Sequence, residues 1–146
     1  MTRPTSPRST EDPLAGLVGT PFLPRGRTRA GLDCWGLQRL ALQIAVGVEV
    51  PSYADRYTDT AEDDINARLI RELRDEDWHE VAAGQEQRLD AVLMRGAFRV
   101  PSHLGTVLRP GLMLHTYSAG AVRVDYYRRG LFKERIVGFY RHKLLA

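Results

Sequence analysis

Apolar residues recur along this chain with two different periods, a helical one in the first half and an alternating one in the second. Leu37, Leu40, Ala41, Ile44 and Ala45 follow one another at three- and four-residue spacings. Asp33 stands before them as an N-cap and Gly47 after them as a stop, so the pattern predicts a buried helix over 34–46. Thr60 followed by Asp63 is a variant of the capping box, and Ile65, Leu69, Ile70 and Leu73 continue it as one apolar face, predicting a second helix to about Arg74. Beyond Trp78 the period shortens to that of strands, in runs over 78–82, 89–95, 103–109, 112–117, 121–127 and 134–140. Gly84, Gly96 with Pro101, Pro110-Gly111, Ser118 to Gly120, and Gly130 punctuate them as turns. Helices first and strands afterwards predict an α+β domain, its N-terminal helices packed on one side of a C-terminal antiparallel sheet of about five or six strands. No segment repeats another.

The flanks of that pattern set the domain limits. Residues 1–13 are rich in proline, serine and threonine and carry no strong apolar anchor, so residues 1–15 are expected to form an extended tail held by a partner chain. Residues 16–32, rich in glycine, proline and arginine, are an irregular lead-in to the first helix. The remaining span, 16–146, suits a single domain, and 43% hydrophobic with 27% charged residues is an ordinary globular composition. A net charge of +3 is too small to imply nucleic acid binding, although all but Lys133 and Lys143 of the 21 basic residues are arginine. Gln38, Arg39, Gln43 and Glu49 interrupt the most apolar region, which leaves no stretch fit to span a membrane. The N-terminal segment lacks the apolar core of a secretory signal, so the expectation is a chain made in the cytoplasm that stays there unless a larger assembly carries it out.

Cys34 is the one cysteine. It excludes an internal disulfide and any Cys₂His₂ or Cys₄ zinc site within one chain, and no cofactor is indicated. Its predicted place in the first turn of a helix favours the thiolate, because unsatisfied N–H groups and the helix dipole stabilise negative charge there. On its own that placement is weak, since lone cysteines are more often inert core residues. His103 and His115 strengthen it. Their positions average to 109, so an odd-length hairpin loop centred on Arg109 would set them directly opposite each other in adjacent strands, one imidazole orienting the other. An even-length loop would send them to opposite faces. A zinc site from Cys34, His103 and His115 is chemically possible. His79 and His142 are expected to be solvated surface groups.

These residues also carry a resemblance. GLDCWGL at 31–37 resembles the nucleophile motif of the NlpC-like family of cell-wall cysteine peptidases, in the form found in phage tail-assembly members. SHLGTVL at 102–108 is similar to that family's catalytic-histidine motif, and MLH at 113–115 to the segment supplying its third polar residue. GTPF at 19–22, RLDAVLMR at 88–95 and IVGFYRH at 136–142 are similar to flanking family segments. The resemblance implies a papain-like fold and hydrolysis of peptidoglycan stem peptides, with Cys34 as nucleophile, His103 as general base and His115 as its orienting partner. It speaks against a metal or other cofactor. It further implies phage tail-tip proteins as partners and a location at the virion tail tip after synthesis in a bacterial host. Phe22, Arg25, Asp33 and Trp35 are the candidate substrate-binding residues; Asp33 has the competing role of helix cap, and Trp35 that of core anchor. Arg25, Arg27 and Arg29 are either carboxylate-binding groups at the cleft entrance or a solvated loop. The sequence departs from the family at Phe22, where a tyrosine is usual, at Pro24-Arg25-Gly26 in place of Trp-Gly-Gly, and at Leu89 in place of a glycine. Alternatives to the peptidase are a catalytically weak or inactive structural tail component that retains the fold, and an acyltransferase or amidase on the same scaffold.

Overall fold

The computed structural model describes residues 12–54, 77–95, 101–116 and 120–145. The predicted helix over Thr60 to Arg74 lies outside them. Among the described residues, helix α1 spans Cys34–Val46, as its pattern predicts. The Asp33 side chain accepts from the Gly36 N–H, and Gly47 closes the helix in the left-handed conformation, which a residue without Cβ adopts without strain. The buried side is Leu37, Gln38, Ala41 and Leu42, and each leucine removed from water there contributes about 2–3 kcal/mol.

Two short strands, β1 (Arg27–Thr28) and β2 (Gly31–Leu32), form a small hairpin immediately before α1. The main sheet consists of β3 (Trp78–Val81), β4 (Ala91–Arg95), β5 (Pro101–Arg109), β6 (Leu112–His115), β7 (Arg123–Tyr126) and β8 (Ile136–His142). Their order is β3-β8-β4-β5-β6-β7, and every neighbouring pair is antiparallel. This is the expected α+β arrangement at the upper strand count. One face carries the main cluster, where α1 meets Ala91, Leu93, Leu104, Leu114 and Tyr140. The other carries a second cluster of Val92, Met94, Val107, Met113, Tyr127 and Phe139.

Two boundaries differ from expectation. The last strand starts at Ile136 rather than 134, because Gly130–Arg135 forms a short helix, α2, whose Phe132 packs on the second cluster. The described fold also reaches further back than residue 16. Pro13–Leu17 is a 3-10 helix capped by Asp12, Leu14 and Leu17 are fully buried, and Arg88 grips the Asp12 carboxylate with both terminal nitrogens at 2.6 Å. Residues 12–15 therefore belong to the domain; two leucines three apart are enough of an anchor when a 3-10 turn brings both inward.

Leu89 explains its own departure from the family. Its φ is +76°, a left-handed conformation that suits glycine and costs a branched residue roughly 1–2 kcal/mol. Burial of the side chain offsets that cost, and the backbone is held on both sides: Leu89 N–H donates to Val107 O at 2.8 Å, and Leu89 O accepts from the Gln38 side chain at 2.8 Å.

Gly36 provides a test of the packing around α1. Glycine inside a helix is worth about 1 kcal/mol less than alanine, so Gly36→Ala should stabilise if propensity ruled. A Cβ at this position would overlap the Gly26 carbonyl oxygen, a backbone atom with no rotamer to yield. Gly36→Ala is expected to lower stability by roughly 1–3 kcal/mol in chemical denaturation; a stabilised variant would mean that the β1–β2 hairpin does not press on the helix.

Candidate active site

Cys34 is the first residue of α1 and is 3% exposed, in the cluster between the helix and the sheet. Asp33, beside it, is fully occupied by the fold. Its Oδ1 accepts from Gly36 N–H and Arg27 Nη1, both at 2.8 Å, and its Oδ2 accepts from Arg25 N–H at 2.9 Å. Of its two roles the structure assigns the cap. The pairing with Arg27 also offsets the carboxylate's opposition to a neighbouring thiolate. Trp35, 1% exposed, donates from Nε1 to Pro51 O at 2.9 Å and packs obliquely against Tyr53 and Trp78, which makes it a core anchor.

Arg27 is likewise structural: its guanidinium reaches Asp33, Gly26 O and Ser52 O. Arg25 and Arg29 are exposed, and Arg25 sits at φ +60°. Phe22 is half-buried, bridged to Leu32 just ahead of the helix.

The histidines meet, by a different route from the one expected. The loop is not centred on Arg109. Arg109 pairs with Leu112 across the two-residue turn Pro110-Gly111, an even-length loop that by itself would separate His103 and His115 onto opposite faces. A bulge at Leu108 adds one residue to β5 and restores the parity, so that Val107 faces Met113 and Gly105 faces His115. His103 is therefore diagonal to His115, not opposite. The diagonal is short enough for long side chains: His103 Nε2 lies 3.3 Å from His115 Nδ1, with the rings nearly perpendicular.

His115 is fully buried, its ring edge-on to Phe132 of α2 at 5.0 Å. Burial pushes its pKa below the ordinary value, partly opposed by Asp125, whose Oδ2 is 2.6 Å from Nε2. His103 is pushed down to about 3, chiefly by burial and then by the positive charge of a protonated His115 and of Arg135. Both imidazoles are neutral near pH 7. Asp125 has no counterpart in the sequence reading, because a carboxylate in an alternating run looks like a solvent-facing position. The signal was the register: β7 pairs Met113 with Asp125 and His115 with Arg123, which sets the carboxylate next to the imidazole.

The structure thus brings His103 and His115 together and adds Asp125. Cys34 is positioned at the start of α1, the helix that Asp33 caps. His142 is a correction: it is buried edge-on against Trp78 at 5.0 Å, while His79 is exposed. Among the described residues no cluster of three potential ligands could hold a metal ion, and no helix is long and apolar enough to cross a membrane.

The NlpC/P60 family model matches residues 19–141, the span that contains Cys34, both histidines and Asp125. The chain belongs to the NlpC/P60 family. Its fold resembles that of an NlpC/P60 family protein from Bacillus cereus, with a TM-score of 0.61 at 18% identity over 89% of this chain and 39% of that one. A lipoprotein-like NLP/P60 protein from Staphylococcus aureus gives 0.62 at 15% identity over 88% and 38%. The P60 domain of an antigen from M. avium subspecies paratuberculosis gives 0.53 at 20% identity, covering 89% of this chain and 88% of that one. The chain thus spans about two-fifths of the B. cereus and S. aureus proteins and most of the isolated P60 domain. No curated protein matches it.

The buried histidines fix the sign of the pH dependence of stability. Where the folded pKa is depressed, the unfolded chain takes up the proton first as pH falls, so stability is whole above about 6.5 and is lost progressively toward the folded value. His103, His115 and His142 are all shifted this way. The thermal midpoint is expected to be flat from pH 8 to 7 and to fall between pH 6.5 and 5, before the carboxylates titrate, with a shallower fall in His103→Gln. An equal slope in that variant would show that the folded state does not depress the His103 pKa.

Proposed function

We propose that this protein is a cysteine peptidase that hydrolyses peptidoglycan stem peptides, with Cys34 as nucleophile, His103 as general base and His115 orienting His103. The observation that carries this reading is the His103–His115 contact in a chain of the NlpC/P60 family whose one cysteine starts a helix. The Cys34 sulfur attacks the amide carbonyl carbon while its proton passes to His103. Because His103 Nε2 faces His115, the nitrogen that receives the proton is Nδ1. The oxyanion is held by backbone N–H at the helix start, at Cys34 itself, since Asp33 already occupies that of Gly36. His103 then returns the proton to the departing amine, which leaves an acyl-thioester, and afterwards takes a proton from the water that hydrolyses it. The chemistry requires the start of α1 and the start of β5, where His103 is the third residue, to meet at the sheet's end.

The likeness of GLDCWGL and IVGFYRH to phage tail members supports a tail-tip location, with tail proteins as partners and wall opening during entry or assembly as the task. A second reading, a catalytically weak structural tail component, is favoured by the deep burial of Cys34 and by Phe22, which has no hydroxyl to offer a substrate.

Muropeptide digestion separates the two. Purified protein is expected to release stem fragments, with loss of at least about 10³-fold in Cys34→Ala, the scale of removing a nucleophile together with its base's function. No release, together with no labelling of Cys34 by a thiol-reactive probe, would establish the structural reading.

A further inference from the structure

The carboxylate of Asp125 receives two donors on a single oxygen: His115 Nε2 and Arg123 Nε each lie 2.6 Å from Oδ2. An oxygen that accepts twice at that distance has no room for its own proton, and the neighbouring guanidinium holds the carboxyl below the usual range. Asp125 is therefore the acceptor, and His115 must carry its hydrogen on Nε2. A neutral imidazole has one donor and one acceptor nitrogen, so Nδ1 of His115 presents a lone pair. The group facing that lone pair is His103 Nε2, at 3.3 Å, and it must be the donor. With its hydrogen on Nε2, neutral His103 has its lone pair on Nδ1.

We propose that Asp125, pinned by Arg123, is a positioning residue that sets the tautomer of both histidines and so makes His103 Nδ1 the base. The inference rests on the peptidase reading, deepening it by one residue. It assigns a task to a group that touches neither substrate nor thiol, and it gives a reason for burying His115 completely: Phe132 closes the ring's edge from α2, so water does not supply an alternative hydrogen-bond partner from that side. The charged groups bearing on the pair are Asp125 and Arg123 on β7 and Arg135 at the end of α2.

Without Asp125 the chain of donors loses its direction, because His115 can then hold its hydrogen on either nitrogen. Asp125→Asn is a milder change, since Arg123 keeps an amide oxygen turned toward His115. The test has two arms. Nitrogen chemical shifts of the imidazoles in uniformly ¹⁵N-labelled protein at pH 7 read the tautomers without any turnover. His103 and His115 are both expected in the Nε2–H form in the wild type, to become mixed in Asp125→Ala and to remain largely Nε2–H in Asp125→Asn. Muropeptide hydrolysis reads the consequence: kcat is expected to fall roughly 10- to 100-fold in Asp125→Ala with KM little changed, part of the ~10²- to 10⁴-fold that acid–base catalysis supplies. Asp125→Glu is expected to recover part of the loss. A wild-type His115 in the Nδ1–H form, or unaltered tautomers in Asp125→Ala, would overturn the proposal. So would an Asp125→Ala enzyme that loses thermal stability but keeps kcat. If the wild type hydrolyses nothing, the peptidase reading fails while the tautomer arm still decides the role of Asp125.

Discussion

Everything at the thiol end of the molecule depends on one buried carboxylate. Asp33 caps α1, and the same two oxygens draw in the Arg25 backbone and the Arg27 side chain. It is a shared anchor for the first turn of the helix and the lead-in hairpin, the two elements that flank Cys34. The close approach of Gly26 to Gly36 follows from the same constraint, because a loop drawn onto a helix start leaves no space for a side chain between them. Arg27 completes the arrangement by pairing with the Asp33 charge beside Cys34. A cap alone could have been serine or threonine; an aspartate that also binds two arginines fixes the loop as well.

The imidazole end depends on a different constraint, the parity of the β5–β6 hairpin. A two-residue turn is the shortest connection between antiparallel strands, and the bulge at Leu108 lets the hairpin use one while His103 and His115 stay on the same face. The diagonal offset that results has its own requirement. The position directly opposite His115 is Gly105, where a Cβ would press on Met113 Sδ at 2.6 Å. A glycine there lets the methionines fill the second cluster beside the histidine pair.

The regular parts of this architecture were legible in the chain. The helix 34–46 has its cap, period and stop written in consecutive residues, and the strand runs fall within a few positions of β3 to β8. What escaped was whatever depended on register or on tertiary contact. The bulge leaves no mark in the hydrophobic pattern, so an odd loop centred on Arg109, with the histidines directly opposite, is what the sequence suggests, whereas the structure sets them in contact on a diagonal. His142 ends a strand near a charged stretch and looks exposed until Trp78 is seen to cover it. Asp125 looks like any outward-facing residue until β7 is docked beside β6. The role of Trp35 as anchor or cleft wall could not be decided from one residue, because the partners that settle it, Pro51, Tyr53 and Trp78, lie 16 or more positions away.

Two departures from the family pattern share one physical consequence. Arg25 stands where a glycine is usual and Leu89 where another is, and both backbones are left-handed, at φ +60° and +76°. The surroundings fix both conformations: Asp33 holds Arg25, and Val107 with Gln38 holds Leu89. Each site of strain is therefore tied to an element that places chemistry, the first to α1 and Cys34, the second to α1 and β5. Strain of this kind persists where other interactions outweigh it. Here the interactions that outweigh it are those that locate the thiol and run the histidine strand past the helix, and at Leu89 burial of the side chain adds to them.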